Sequence, residues 1–132
     1  MSDDNLDVVR RALDAWNRGD LERALEDMHP DAEVDWSDSR GLHRGIFRGR
    51  EQVTRFYEEW FEVFERVEIH PEELIEVGEH VVVPNLGRAR GREGVSVSAR
   101  STQVFTLREG KVVRVRLYQD QEAALRAVGL AK

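Results

Sequence analysis

Two glutamines, Gln103 and Gln119, fall on the apolar face of the stretch VSVSARSTQVFTLREGKVVRVRLYQD, residues Val95–Asp120. A primary amide donates and accepts hydrogen bonds but does not titrate, so it can hold a carbonyl or hydroxyl and cannot shuttle a proton. Buried without a partner it costs on the order of 1–3 kcal/mol. Each glutamine is therefore either satisfied inside a core or turned toward a cavity. His43, close in sequence to Asp35 and Asp38, is the candidate general base, since imidazole exchanges protons near neutral pH; the alternative is a solvated loop histidine. His29, His70 and His80 lack ligand spacing with each other or with carboxylates, so no metal site is expected. Cysteine is absent, which removes thiol catalysis, thiolate metal sites and disulfides.

The elements that must position these groups start with the hairpin. Side chains alternate along a strand, which puts Val95, Val97, Ala99, Ser101, Gln103, Phe105 and Leu107 on one face and Ser98, Arg100, Thr102 and Thr106 on the other. Arg108-Glu109-Gly110-Lys111 reads as a three-residue loop with a bulge, Gly110 taking a positive φ. That loop sets Leu107 opposite Lys111, Phe105 opposite Val113, Gln103 opposite Val115 and Ser101 opposite Leu117. The returning strand then turns Val113, Val115, Leu117 and Gln119 inward and Arg114, Arg116 and Tyr118 outward. Like charges so close need acidic partners, expected from Glu68, Glu72 and Glu76 or from a second copy pairing on this outer face.

Upstream, Asp3 or Asp4 caps a helix to about Arg18 that buries Val9, Ala12, Leu13 and Trp16. Asp20 opens a second helix with Leu21, Ala24, Leu25 and Met28 inward. Ala32, Val34 and Trp36 mark a half-buried strand, and residues 37–49 a loop carrying His43 and Phe47. A helix over about Arg50–Phe64 presents Val53, Phe56, Tyr57, Trp60, Phe61 and Phe64, a face too rich in rings to be solvated. Strands follow at Val67–Val77 and His80–Arg90, where Pro71 and Pro84 imply edges or bulges. Asp120 caps a last short helix. Helices gathered on one side of a mostly antiparallel sheet make an α+β domain, a single one over residues 1–132, with the aromatic helix as lid over the hairpin.

Net charge is −6, which argues against nucleic acid as a partner. Two arginine concentrations, Arg40, Arg44, Arg48 and Arg50 and then Arg88, Arg90 and Arg92, read first as solvated charges, with an anion site as the alternative. An acidic N-terminus and the lack of a long apolar run lead us to expect a cytoplasmic protein without a membrane segment.

Four segments carry a resemblance: AWNRGDLERALEDMHPDAEVDW, FRGREQVTRFYEEW, GRARGREGVSV and VFTLREGKVVRVRLYQDQEAALRAVGL. Together they resemble the SnoaL-like branch of the nuclear transport factor 2-like superfamily. The resemblance implies a cystatin-like α+β barrel, a cone-shaped curved sheet with three N-terminal-half helices on its concave face. It also implies a pocket for small hydrophobic molecules, no metal or organic cofactor, and frequent homodimers. Members include polyketide cyclases, ketosteroid isomerases, limonene epoxide hydrolase, dehydratases and binding proteins. In the isomerases a helix tyrosine and a protonated aspartate form an oxyanion hole and a second aspartate moves the proton. Aligned residue by residue, those positions carry Ala12, Gln103 (within a gap of one residue) and Trp36, so the carboxylates are missing. Tyr57 matches a supporting tyrosine in kind. The epoxide hydrolase set is also missing, because the inward positions of the last strand hold no carboxylate. Where the polyketide cyclases place an acid/base aspartate, Gln103 or Ser101 stands.

The reading that follows is a pocket for a hydrophobic, ring-bearing ligand. Trp16, Trp36, Phe47, Trp60, Phe105 and Leu117 form its walls, and Gln103, Gln119 and Tyr57 orient the ligand. Any activity is expected to be isomerisation, cyclisation or dehydration, with His43 as base and Gln103 and Tyr57 as oxyanion donors. The alternative is a non-catalytic dimeric binding or interaction domain with a filled cone.

Overall fold

Strand pairing puts the C-terminal hairpin at the centre of a sheet whose concave side is covered by helices. The computed structural model describes residues 4–39 and 44–129. In chain order the elements are α1 (Asn5–Asn17), α2 (Leu21–Ala24), β1 (Met28–Asp35), β2 (Ile46–Arg48), α3 (Gly49–Val63), β3 (Phe64–Pro71), β4 (Ile75–Val77), β5 (His80–Gly91), β6 (Ser96–Arg108), β7 (Lys111–Tyr118) and α4 (Gln121–Ala127). The sheet runs β2-β1-β7-β6-β5-β3, with β4 alongside β5. Every pairing is antiparallel except that of β1 with β7, which is parallel. This is the expected α+β class with a curved mixed sheet.

α1 begins where the Asp4 carboxylate accepts the Asp7 N–H at 2.9 Å and stops at Gly19, whose φ of 78° suits glycine. Val9, Leu13 and Trp16 are buried, together with Val8 and Ala15. Ala12, expected to be buried, is only half-buried because it lies at the edge of that stripe. At the last residue of α1 the Asn17 side chain donates to the Ile69 carbonyl at 2.8 Å and accepts the Ile69 N–H at 2.7 Å. One side chain thus joins α1 to β3.

Three expectations need correction. α2 ends at Ala24, and Met28, expected in its stripe, opens β1 opposite Val112. Sheet pairing outweighs the extension of a helix too short to be stable by itself. The expected loop at 37–49 contains β2, which extends the sheet beside β1. The expected single strand at 67–77 is two strands, β3 and β4, each paired with a different part of β5. β3 ends at Pro71, which has no N–H to continue the ladder, and Glu72 N–H donates to the Pro84 carbonyl at 2.8 Å just beyond it. The backbone of α3 lies nearest β1, β2 and β3, and it is Val53 and Phe56 that join Phe105 and Leu117 of the hairpin in one core.

The hairpin register also differs. Glu109 and Gly110 both have positive φ, 53° and 77°, so the connection is a two-residue turn whose twist matches the strands. Arg108 therefore opposes Lys111, Phe105 opposes Val115 and Gln103 opposes Leu117. The bulge lies inside the ladder, where Leu107 opposes Val112 and Thr106 opposes Arg114. Val112 becomes the buried residue and Val113 the half-buried one.

The convex side is not bare. Ala124 of α4 is fully buried against Val82 and Val104, with Ile75, Tyr118, Leu125 and Val128 around them. This second small core explains why outward-facing Thr102 and Thr106 are buried.

Replacing Asn17 with alanine removes a donor and an acceptor from partly buried backbone groups of β3. We expect Asn17→Ala to lower unfolding free energy by about 1–3 kcal/mol, read as a lower urea midpoint with unchanged m-value.

Candidate functional site

α3 supplies the aromatic wall of the concave interior, and Phe56 is its centre. Only 1% exposed, it lies 4.6 Å from Phe47, 4.9 Å from Tyr57, 5.5 Å from Trp36 and 6.3 Å from Trp60, measured between ring centroids. Trp60 stacks in turn on Phe64 at 5.9 Å. Trp16 reaches across from α1 to Tyr57 at 5.3 Å and to Phe61 at 4.7 Å. The nominated walls Trp36, Phe47 and Trp60 thus meet at Phe56, which was recognisable as part of the helical stripe but not as its hub, and Trp16 joins them through Tyr57. Phe105 and Leu117 are buried in the same core.

Polar groups interrupt this apolar interior. Gln103 is 5% exposed and faces inward between Val83 of β5 and Leu117 of β7. No side-chain hydrogen bond joins it to another described residue. One row further along, Asn85 opposes Ser101; it is buried and donates to the Val83 carbonyl at 2.9 Å. Sequence reasoning missed Asn85, although the alternation of Val81, Val83 and Asn85 points all three inward. On the helix side the Trp16 indole N–H is buried without a hydrogen-bond partner among the described residues. Burial pushes the Tyr57 phenol well above its ordinary pKa, so its hydroxyl stays protonated and can donate a hydrogen bond.

The sheet is uncovered toward the start of β6. Pairing with β7 ends at Thr102 opposite Tyr118, so residues 96–101 pair with β5 alone. Along the inward positions exposure falls from Val97 at 52% to Gln103 at 5%. Val95, Val97 and Ala99, expected in the buried face, are exposed for this reason. Gln119, expected to orient a ligand, is committed elsewhere. Its amide donates to the Asp38 carbonyl at 2.6 Å and its backbone N–H to the Asp38 carboxylate at 3.3 Å. These bonds tie the loop after β1 to the end of β7. His43 lies in that loop but outside the described residues.

Asp35 is turned away from the interior. It sits opposite Arg116 on the outer face, with Arg114 Nη2 at 3.4 Å and Arg116 Nε at 3.7 Å from its Oδ2. Burial works to raise its pKa, but hydrogen bonds from the Ser37 hydroxyl and N–H, then the Arg116 and Arg114 charges, leave it below 3.8. Glu33 adds a 3.3 Å contact to Arg114 and a 2.8 Å contact to Arg48. The acidic partners of the outer arginines are therefore Glu33 and Asp35, brought by the parallel β1, in place of Glu68 and Glu76. Glu72 does pair, with Arg100, at 3.4 Å. Among the described residues no group of three or more His, Asp or Glu side chains converges as a metal site. None of their helices is long and apolar enough to cross a membrane.

The cone, its helices and an inward polar row define a nuclear transport factor 2-like, cystatin-like α+β fold. The model of the SnoaL-like domain matches residues 9–115, and the chain belongs to that family. No curated protein matches it. Among solved structures it is similar to TerC co-crystallised with polyporic acid (23% identity, 94% of this chain and 97% of that chain, TM-score 0.76). It is likewise similar to a nuclear transport factor 2-like protein of unknown function from Burkholderia pseudomallei (24%, 98% and 99%, 0.75). A third is a protein of ketosteroid isomerase-like fold from Catenulispora acidiphila in complex with trimethylamine (15%, 93% and 92%, 0.73).

Because the folded pKa of Asp35 lies below its unfolded value, its stabilisation is fully present above about pH 4 and is lost as pH falls through the folded value. Asp35→Asn should reduce stability at pH 7 by about 1–3 kcal/mol, since it removes the carboxylate that faces Arg116 and one of the two that face Arg114. The difference from the parent should shrink toward about pH 2, checked by urea unfolding at both pH values.

Proposed function

We propose that this SnoaL-like domain binds a hydrophobic, ring-bearing small molecule in the open end of the cone, with one carbonyl or hydroxyl group reaching Gln103. The observation that carries this reading is Gln103 itself: an inward amide, nearly buried, with no hydrogen-bond partner among the described residues. In a dry core such a group would be destabilising; a ligand oxygen completes it. The neutral Tyr57 hydroxyl and the Trp16 indole N–H add donors on the helix side, and Trp60 stacked on Phe64 offers an aromatic wall. TerC, of like fold, was crystallised with polyporic acid, which agrees with a small-molecule role.

Proton-transfer chemistry is the finer reading, and here the inward register limits it. The paired inward positions of β1, β3, β5, β6 and β7 hold Met, Val, Ile, Ala, Gly, Pro, Phe, Leu, Ser, Asn and Gln and no carboxylate. A base would have to come from His43, with Gln103 and Tyr57 as donors to a developing oxyanion. The alternative is a non-catalytic domain working as a homodimer. With α4 over Val82 and Val104, two copies would have to meet on the remaining outer face.

Tryptophan fluorescence should quench saturably with a member of a panel of steroids, polycyclic hydroxyketones and terpenoid epoxides. Gln103→Leu should weaken that ligand by about five- to tenfold, the worth of one hydrogen bond. A flat response across the panel would defeat the pocket reading. For the best ligand class, a pH–rate step in the histidine range that disappears in His43→Ala would assign catalysis.

A further inference from the structure

The arginine concentrations that look alike in sequence have different fates. Arg44 donates to the Ser37 carbonyl, Arg48 pairs with Glu33 and Arg50 donates to the Met28 carbonyl. Arg92 donates to the Phe61 and Glu62 carbonyls at 3.2 and 3.4 Å, at the C-terminal end of α3 where the helix dipole favours a cation. Arg88 and Arg90 have no such use. They stand with Arg66, Glu68, Ser96 and Ser98 around a groove of about 340 Å³ at the far end of the hairpin.

The register explains the groove's charge. Arg66, Arg90 and Ser96 form one outward row across β3, β5 and β6, and Glu68, Arg88 and Ser98 form the next. Arg66 thus directly opposes Arg90, an arrangement that is unfavourable without a counter-charge. Glu68 answers Arg66 at 2.7 Å and also meets His70 at 2.9 Å. Neither Arg88 nor Arg90 has an ion pair or hydrogen bond among the described residues. Three guanidinium groups against one carboxylate leave an excess of two positive charges, flanked by two serine hydroxyls. The chain as a whole carries −6, so its long-range field does not gather anions. Retention here must come from local geometry, and guanidinium forks suit phosphate and carboxylate oxygens in pairs.

We propose that this groove is an oxyanion site for a dianionic small molecule. Arg88 and Arg90 grip its phosphoryl or carboxylate oxygens while Ser96 and Ser98 donate hydroxyl hydrogen bonds. It lies on the opposite face of β5 and β6 from the cone interior and is independent of the ligand proposed there.

The test is calorimetric titration of the full chain at low ionic strength with inorganic phosphate, phenyl phosphate and malonate, against sodium chloride at matched ionic strength. We expect one saturable site for at least one dianion. It should weaken by about tenfold or more in the double variant Arg88→Gln, Arg90→Gln, weaken less in Arg88→Lys, Arg90→Lys, and be unchanged in Arg126→Gln on α4. Preference for the phosphates or for malonate identifies which oxyanion the site takes. Equal heats with chloride, or equal weakening in Arg126→Gln, would overturn the proposal. So would sedimentation showing self-association that only the Arg88/Arg90 glutamine variant abolishes, which would make the groove a contact between copies. Unfolding midpoints of the variants, expected at or above the parent because like-charge repulsion is removed, exclude misfolding as the cause.

Discussion

The pairing of β5 with β6 is the interaction on which the rest of this structure depends. It runs unbroken from His80 opposite Thr106 to Arg90 opposite Ser96, well past the point where β7 stops. Its inner half carries Val81, Val83, Phe105 and Leu107 into the main core. Its outer half has no third strand on the β7 side, so the concave surface there stays open. One ladder therefore builds part of the packed core and also an exposed end of the sheet. The two-residue turn at Glu109-Gly110 and the bulge before Leu107 set how the core residues of β7 meet it.

Because side chains alternate, the same strands present two different chemistries. The concave side is apolar, with the row of Asn85, Ser101 and Gln103 near the opening. The convex side carries arginines, and their surroundings decide what each does. Arg114 and Arg116 face Glu33 and Asp35 because β1 runs parallel beside β7. Arg92 meets the carbonyl end of α3. Arg88 and Arg90 line a groove with Arg66, Glu68 and two serines and have no ion pair among the described residues. Identical guanidinium groups become a structural tie, a helix cap or a ligand-seeking site according to the partners that the sheet order brings.

The helices serve the sheet in a corresponding way. Asn17 fastens α1 to β3 through backbone groups, and Phe56 gathers the rings of α3, Phe47 of β2 and Trp36 just beyond β1 into one wall. Tyr57 and Trp16 are thereby held beside each other with their polar atoms inside. Desolvation keeps the Tyr57 phenol neutral, so its chemistry in this setting is donation and not proton exchange.

Local pattern made much of this legible in advance. The caps at Asp4, Asp20 and Asp120, the stripe of α3, the alternation of β6 and the inward direction of Gln103 all depend on neighbours within a few residues, and periodicity reports them directly. The resemblance to SnoaL-like proteins came from the same stretches. What sequence could not supply were the long-range choices. The parallel neighbour of β7 gave Asp35 to Arg114 and Arg116. The loop tie from Asp38 occupied Gln119, and the division of β3 from β4 followed from how β5 is shared. Those outcomes rest on contacts between residues far apart in the chain. Their energies depend on which strand lies beside which, and no spacing along a single segment encodes that.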